Sequence, residues 1–237
     1  MSSDSYIRVY EDVLDPDFCS DLIGQYESTL VSEADRVKSL SLCFRPDGTK
    51  ICGACNCTRM NTMEHDGFED YNKILLASFQ ACLMQYLKDC RTTKDMFPNP
   101  KTWGWEEFKI KRYRVGEGGP DDEQFKEHVD VQSHAAAKRF LIMMAYLNDE
   151  FTSGHTDFPH HNISVKPKTG SVLIFPPLWT HLHRGNPPLD GYAKYITMTY
   201  LNFTDMTKVD YKKNPLLGES YREGHGSMAA AKAHMME

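Results

Sequence analysis

The segment Glu127-His128-Val129-Asp130 carries the sharpest chemical pattern in the chain. On a strand, side chains two residues apart point to the same face. His128 and Asp130 therefore present an imidazole and a carboxylate to one point, where they can hold a divalent metal ion. A third donor must come from elsewhere. The segment Leu178-Trp179-Thr180-His181-Leu182-His183-Arg184-Gly185 offers two candidates, His181 and His183, again two residues apart. Two imidazoles and one carboxylate on one face of an ion form the facial triad of non-haem iron(II) oxygenases, which leaves open positions for a co-substrate and dioxygen. A structural zinc site, by contrast, is closed. Patterns this short also arise by chance, and the chain has 10 histidines. The His-x-Asp pair alone does not establish a metal site.

A second cluster competes with the first. Cys43, Cys52, Cys55 and Cys57 lie close together, and Cys52-Gly53-Ala54-Cys55 is a Cys-x-x-Cys. Four thiolates can close around a zinc ion. The spacing is irregular and no second Cys-x-x-Cys follows, so ordinary free thiols are favoured over zinc or a redox role. Trp179 and Arg184 flank the distal histidines and are candidates for lining a substrate groove. An exposed arginine and a half-buried tryptophan need no such role.

These residues need strands to position them, and the middle of the chain supplies the pattern. From Trp103 to Phe203 the period is short. Phe108, Ile110, Arg112 and Arg114 alternate with Lys109, Lys111, Tyr113 and Val115. Phe140 to Leu147 is an apolar run closed by Asn148-Asp149, and Val172-Leu173-Ile174-Phe175 is a buried-strand run ending at Pro176-Pro177. Tyr195 to Phe203 is rich in Thr, Tyr and Ile. Short strands between Gly, Pro and Asp signals predict a sandwich or jelly roll.

The first hundred residues read as mainly helical. Ile7, Val9 and Tyr10 predict a short opening strand. Asp15 followed by Pro16 is a helix start, and Phe18, Leu22, Ile23 and Tyr26 mark one helical face. A second helix is predicted from Glu69 to Asp89, where Tyr71, Leu75, Phe79, Cys82, Leu83 and Tyr86 recur at three- and four-residue steps. Phe97-Pro98-Asn99-Pro100 breaks it. From Thr204 onward the chain is polar and reads as a surface tail.

Composition bounds the function. The 237 residues are 41% hydrophobic and 25% charged, the mixture of a globular domain rather than a collagenous, disordered or disulfide-stapled chain. A net charge of -6 disfavours a protein that coats nucleic acid. No run approaches the roughly 20 apolar residues of a membrane span. The opening Met-Ser-Ser-Asp-Ser-Tyr lacks the pattern of a secretory signal. The 7 cysteines fit free thiols in a reducing compartment, so a cytoplasmic setting is expected.

Several further motifs occur in a fixed order. Tyr113-Arg114-Val115-Gly116 precedes His128-Val129-Asp130. Tyr146-Leu147-Asn148 closes the apolar run, followed by Gly154-His155-Thr156-Asp157-Phe158-Pro159. Then come Pro167-Lys168-Thr169-Gly170, His183-Arg184-Gly185-Asn186-Pro187 and finally Lys194. Taken in order, this set resembles the 2-oxoglutarate- and iron(II)-dependent dioxygenases, in their prolyl-hydroxylase-like branch. The resemblance runs from Ile7 to Phe203 and is densest from Tyr113 onward. Its opening piece is Tyr10-Glu11-Asp12-Val13-Leu14.

The resemblance implies a mainly β fold with flanking helices (α+β): a double-stranded β-helix, or jelly-roll, core with the N-terminal helices packed on one sheet. Residues 1–102 would be a support region of the same domain, 103–204 the catalytic core and 205–237 a C-terminal tail. His128, Asp130 and His183 would bind iron(II), the Gly-x-Pro after His183 favouring it over His181. Lys194 would take the far carboxylate of 2-oxoglutarate, the co-substrate, with Tyr113 and Tyr146 touching it. Both tyrosines can equally be core aromatics whose hydroxyls find a partner. Ascorbate would be an accessory reductant. Asp130 points to hydroxylation, because related halogenases lack that carboxylate.

The implied substrate is a peptide or protein residue, proline first, with dioxygen as co-reactant and succinate as product. A free amino acid, small metabolite or nucleobase is the alternative, and a non-catalytic jelly-roll binding module is the reading of a different class. The intact His128, Asp130, His183 and Lys194 set speaks against that module.

The chain also departs from the family pattern. Ser153 stands where the first of two glycines is usual, and His155 where a Glu is usual. Lys194 comes one residue later than the family spacing. If the extra residue lies in the turn Leu189-Asp190-Gly191-Tyr192-Ala193, Lys194 still faces inward; inside a strand it would turn Lys194 away.

Overall fold

The computed structural model describes residues 5–32, 43–44, 50–51, 57–93, 96–98, 102–119 and 122–204. The chain begins with strand β1 (Arg8–Tyr10), helix α1 (Pro16–Ser32), the short strands β2 (Cys43–Phe44) and β3 (Lys50–Ile51), β4 (Thr58–Asn61) and helix α2 (Glu69–Asp89). It continues through β5 (Trp103–Trp105), β6 (Lys109–Tyr113), β7 (Phe125–His128), β8 (Arg139–Tyr146), β9 (Phe151–Ser153), β10 (Thr156–Phe158) and β11 (Ile163–Val165). The last described strands are β12 (Val172–Phe175), β13 (His183–Gly185), β14 (Pro188–Gly191) and β15 (Lys194–Phe203).

Both helices start and pack as their sequences dictate. Asp15 caps α1 by accepting the Asp17 backbone N–H at 2.8 Å, with Pro16 at the first helical position. Leu22 and Tyr26 of the predicted face are fully buried. In α2, Glu69 and Asp70 open the helix and Lys88 lies in the last turn, which complements the helix dipole. Leu75, Phe79, Cys82, Leu83 and Tyr86 are buried, and each Leu or Phe so removed from water contributes about 1.5–3 kcal/mol.

Two antiparallel sheets form the core, with the two-stranded pairs β14-β9 and β2-β3 beside them. The larger has the order β1-β12-β8-β15-β6-β4, with β5 also pairing β15; the smaller has the order β11-β10-β13-β7. The first hundred residues thus supply the helices and also both edge strands, β1 and β4, of the larger sheet. Alternation along its central strands explains its two cores. Leu141, Met143 and Ala145 of β8, with Val172 and Ile174 of β12, pack against the helices. Ile142, Met144 and Tyr146, with Leu173 and Phe175, face the smaller sheet beside Phe158 and Val165. A sheet covered on both faces reads as a continuous apolar run, which is how β8 and β12 appear in the sequence. The architecture is the jelly roll expected, with the helices on the outer face of one sheet.

Gly170 closes the Pro-x-x-Gly turn at φ +76°, and a Cβ there would lie 2.1 Å from the Leu14 carbonyl oxygen. Its own carbonyl accepts the Val13 and Leu14 N–H groups at 3.1 and 3.0 Å. This turn ties the N-terminal segment to the core.

Cys52, Cys55 and the tail after Thr204 lie outside the described residues, as does the side chain of Cys43. Cys57 is buried, as are Cys19, Cys82 and Cys90. Among the described residues no helix is long and apolar enough to cross a membrane.

Candidate active site

The smaller sheet builds the site. Strands β7 and β13 pair antiparallel with His183 opposite His128, so the two imidazoles stand side by side with ring centroids 4.3 Å apart. Asp130 follows β7 directly and completes the group; donor atoms of all three lie within 4.8 Å of one another. His128 Nε2 is 3.5 Å from Asp130 Oδ1, and His183 Nε2 is 3.6 Å from Asp130 Oδ2.

The outer nitrogen of each ring is fixed by backbone. His128 Nδ1 donates to the Lys126 carbonyl at 2.7 Å, and His183 Nδ1 donates to the His181 carbonyl at 2.9 Å. A carbonyl only accepts, so each Nδ1 carries the proton and each Nε2 turns a lone pair inward. Burial lowers the His183 pKa to about 4 against the pull of Asp130, so this ring is neutral near pH 7. Burial alone would raise the Asp130 pKa, but the two histidines and the Tyr200 hydroxyl hold it well below the usual carboxylate range.

Two buried atoms of this group have no hydrogen-bond partner among the described residues: His128 Nε2 and Asp130 Oδ2. Buried polar atoms are nearly always satisfied. Two that converge without partners, beside a third inward lone pair, form the donor set that a divalent metal ion would complete. The residues present therefore fit iron(II).

The larger sheet closes the site from the other side. Tyr200 on β15 donates its hydroxyl to Asp130 Oδ1 at 2.8 Å. The Arg139 guanidinium lies 4.0 Å above the Tyr200 ring and is held by Glu106 through two bonds of 2.8 and 2.9 Å. On β7, the Phe125 ring stacks on His128 with centroids 3.4 Å apart.

A pocket runs from this cluster to Lys194, lined also by Tyr113, Thr156 and Lys111. Lys194 is 2% exposed, and its ammonium donates to the Gly154 carbonyl at 2.6 Å. It sits 5.5 Å from the Tyr113 ring and 5.8 Å from the Tyr146 ring, a favourable place for a cation. Burial, helped by the charge of Lys111, lowers its pKa to about 7. Tyr113 lines the pocket. Tyr146 is fully buried, with its hydroxyl on Thr156 Oγ1 at 2.7 Å, and it is Thr156 that lines the pocket wall.

The departures from the family pattern resolve in the turns. Ser153 and Gly154 both have positive φ, 64° and 69°, which explains why glycines suit both positions. In the segment before Lys194, β14 shifts register against β9 between Leu189 and Gly191. Lys194 faces the pocket. His181 is turned away: its Nε2 bonds the Ser5 carbonyl and its Nδ1 the Thr180 hydroxyl, both at 2.8 Å. Arg184 is tied to Asp157, its Nε and Nη2 each 3.0 Å from Oδ2, and Trp179 is 78% exposed.

Sequence reasoning missed Lys111, Phe125, Thr156 and Tyr200. Two of them carried a usable signal: Lys111 shares a strand face with Tyr113, and Tyr200 shares one with Lys194 by even steps along β15.

Two facing antiparallel sheets that enclose a buried His-Asp-His cluster define a jelly-roll protein with the facial donor set of non-haem iron(II) oxygenases. Residues 108–202 match the family described as the 2OG-Fe(II) oxygenase superfamily. A protein of Acanthamoeba polyphaga mimivirus, provisionally assigned as a prolyl 4-hydroxylase, is 46% identical over 62 residues. That match spans 23% of this chain and about a quarter, 26%, of the relative.

Solved structures share the fold at low identity. The viral collagen prolyl hydroxylase of Paramecium bursaria Chlorella virus-1, in its 2OG complex, superposes with a TM-score of 0.56 at 19% identity, covering 85% of this chain and 98% of its own. A Trichoplax adhaerens prolyl hydroxylase, in complex with a hypoxia inducible factor peptide fragment, gives 0.57 at 13% identity, covering 84% of each chain. A prolyl-4-hydroxylase of Pseudomonas putida gives 0.54 at 13% identity, covering 86% of this chain and 95% of its own.

Proposed function

We propose that this chain is an iron(II)- and 2-oxoglutarate-dependent dioxygenase that hydroxylates a peptidyl residue, proline first. The observation that carries the reading is the buried His128-Asp130-His183 cluster with its unpartnered inward atoms, in a pocket that also holds a buried lysine. The family match over residues 108–202 supports it. The peptidyl substrate is supported by likeness to prolyl hydroxylases, one of them in complex with a peptide.

In this reading His128, Asp130 and His183 would hold iron(II). Lys194 would hold the far carboxylate of 2-oxoglutarate, in the part of the pocket lined by Tyr113 and Thr156. The bound metal and co-substrate together supply dioxygen activation: one oxygen atom ends in succinate, carbon dioxide leaves, and the other oxygen atom ends in the substrate hydroxyl. The chain's own residues orient these partners. Lys126 and His181 carbonyls fix the imidazole tautomers, Tyr200 fixes the Asp130 carboxylate, and the apolar wall of Ile142, Met144, Phe175, Ile196 and Met198 limits water. Residues 103–204 act as the catalytic core, and residues 1–102 support it.

The test is succinate formation from 2-oxoglutarate by protein reconstituted anaerobically with iron(II), in buffer with ascorbate, on admitting oxygen. Proline-rich peptides should raise turnover and gain one oxygen atom by mass spectrometry, while the same peptides with alanine for proline should not. His128→Ala and Asp130→Ala should each cut turnover by a factor of about 100 or more. Failure of the wild-type protein to bind iron(II) and 2-oxoglutarate would leave a non-catalytic jelly-roll module as the better account.

A further inference from the structure

Lys111 is buried, 8% exposed, in the same pocket as Lys194. Among the described residues its ammonium meets the Phe125 ring, 4.7 Å from the centroid, and no carboxylate. Lys194 likewise bonds a carbonyl and faces two aromatic rings, with no carboxylate at ion-pair distance among the described residues; Asp157, farther off, attracts it but is itself bonded to Arg184, Ser164 and Asn186. Among the described residues the one carboxylate lining the pocket is Asp130, whose Oδ1 accepts the Tyr200 hydroxyl and whose Oδ2 faces the His-Asp-His donor set. Burying one ammonium without a counter-charge is costly, and burying two in one pocket compounds the cost.

The register sharpens the conflict. On paired strands Lys111 faces Ile196 and Lys194 faces Tyr113. The two lysines are thus diagonal neighbours on one face, with backbones roughly 7–8 Å apart. An anion that reaches both would supply the missing counter-charge.

The positions of the two cations differ in a way that orders the anion. Lys194 lies at the Gly154 end. Lys111 lies toward the cluster: its ammonium packs on Phe125, and Phe125 stacks on His128 at 3.4 Å. Resting on the function proposed above, we infer that Lys111 is a second co-substrate anchor, receiving the carboxylate of the keto-acid end of 2-oxoglutarate while Lys194 receives the far one. The pocket then selects a dicarboxylate by a cation at each end, and its specificity extends to both carboxylates separately.

Calorimetric titration of anaerobic manganese(II)-loaded protein tests this without turnover. The probes are 2-oxoglutarate and 2-oxobutyrate, the latter carrying only the keto-acid end. Lys111→Met should weaken both acids by about ten- to hundredfold. Lys194→Met should weaken 2-oxoglutarate by as much and leave 2-oxobutyrate within about twofold. Lys111→Met should melt no lower than wild type without co-substrate, because it removes a buried unpaired charge. Unchanged binding of both acids by Lys111→Met overturns the inference, as does a loss confined to 2-oxoglutarate. If the wild-type protein itself binds neither manganese nor 2-oxoglutarate, the functional reading fails and this inference with it.

Discussion

The two oxygens of Asp130 have different duties. Oδ1 accepts the Tyr200 hydroxyl, while Oδ2 has no partner among the described residues and stays available for a metal. Tyr200→Phe removes a hydrogen bond to a charged group and lets the carboxylate rotate. Manganese(II) affinity should fall about tenfold while the melting profile stays close to wild type; unchanged affinity would show that Tyr200 does not position Asp130. Lys194 gives a second expectation at this scale. Burial and Lys111 lower its pKa from 10.5 to about 7. Without co-substrate, the folded protein sheds this proton near pH 7 while the unfolded chain keeps it until about 10.5. The unfolded state binds more protons across that window, so this group makes stability rise with pH there. A bound carboxylate restores the charge, so 2-oxoglutarate binding at pH 8 should take up a proton. Titration heats in buffers of different ionisation enthalpy read that uptake, and heats independent of buffer would contradict it. His128 and Asp130 were legible in the sequence from their His-x-Asp spacing, although strand alternation does not itself place the pair: β7 ends at His128 and Asp130 lies just beyond it. Lys111 and Tyr200 share strand faces with Tyr113 and Lys194, but that those faces meet the cluster depends on pairings between distant strands.

At the scale of the element, the turn at Gly170 is the most constrained joint. Its φ of +76° and the 2.1 Å approach of a Cβ to the Leu14 carbonyl leave no room for a side chain. Gly170→Ala should cost about 2–4 kcal/mol in denaturant unfolding. Gly24 in α1, with nothing within 4 Å of a Cβ, is the matched control: Gly24→Ala should gain about 0.5–1 kcal/mol. Equal effects would show that the turn yields more easily than its geometry implies. The sequence disclosed the helices well, since Asp15-Pro16 and the apolar spacing of residues 69–89 are local signals. It disclosed the existence of β1 too, but not its place beside β12, because pairing across more than 160 residues leaves no local mark. The register that sets His183 opposite His128 was invisible for the same reason.

At the scale of the whole molecule, the candidate site is a seam between sheets. His128 and His183 come from the smaller sheet, with Asp130 just after β7; Lys111, Tyr113, Lys194 and Tyr200 come from the larger. A metal and a dicarboxylate bound there would bridge the two layers. With both at about 100 times their dissociation constants, each should add about 2.7 kcal/mol, about 5.4 kcal/mol together, a shift of roughly 10–20 °C in melting temperature for a chain of this size. Asp130→Ala should lose the shift; a shift retained in that variant would place the ligands elsewhere. The position of β15 has a further consequence. It is the last described strand in chain order, yet it lies between β8 and β6 in the larger sheet. While the protein is being synthesised, β8 and β6 leave the ribosome well before the strand that joins them. Through that interval both present open edges of the kind that recruit other chains. The nascent polypeptide is thus most exposed to mispairing just before Lys194 and Tyr200 arrive, and the strand that completes the pocket is the same one that ends the danger.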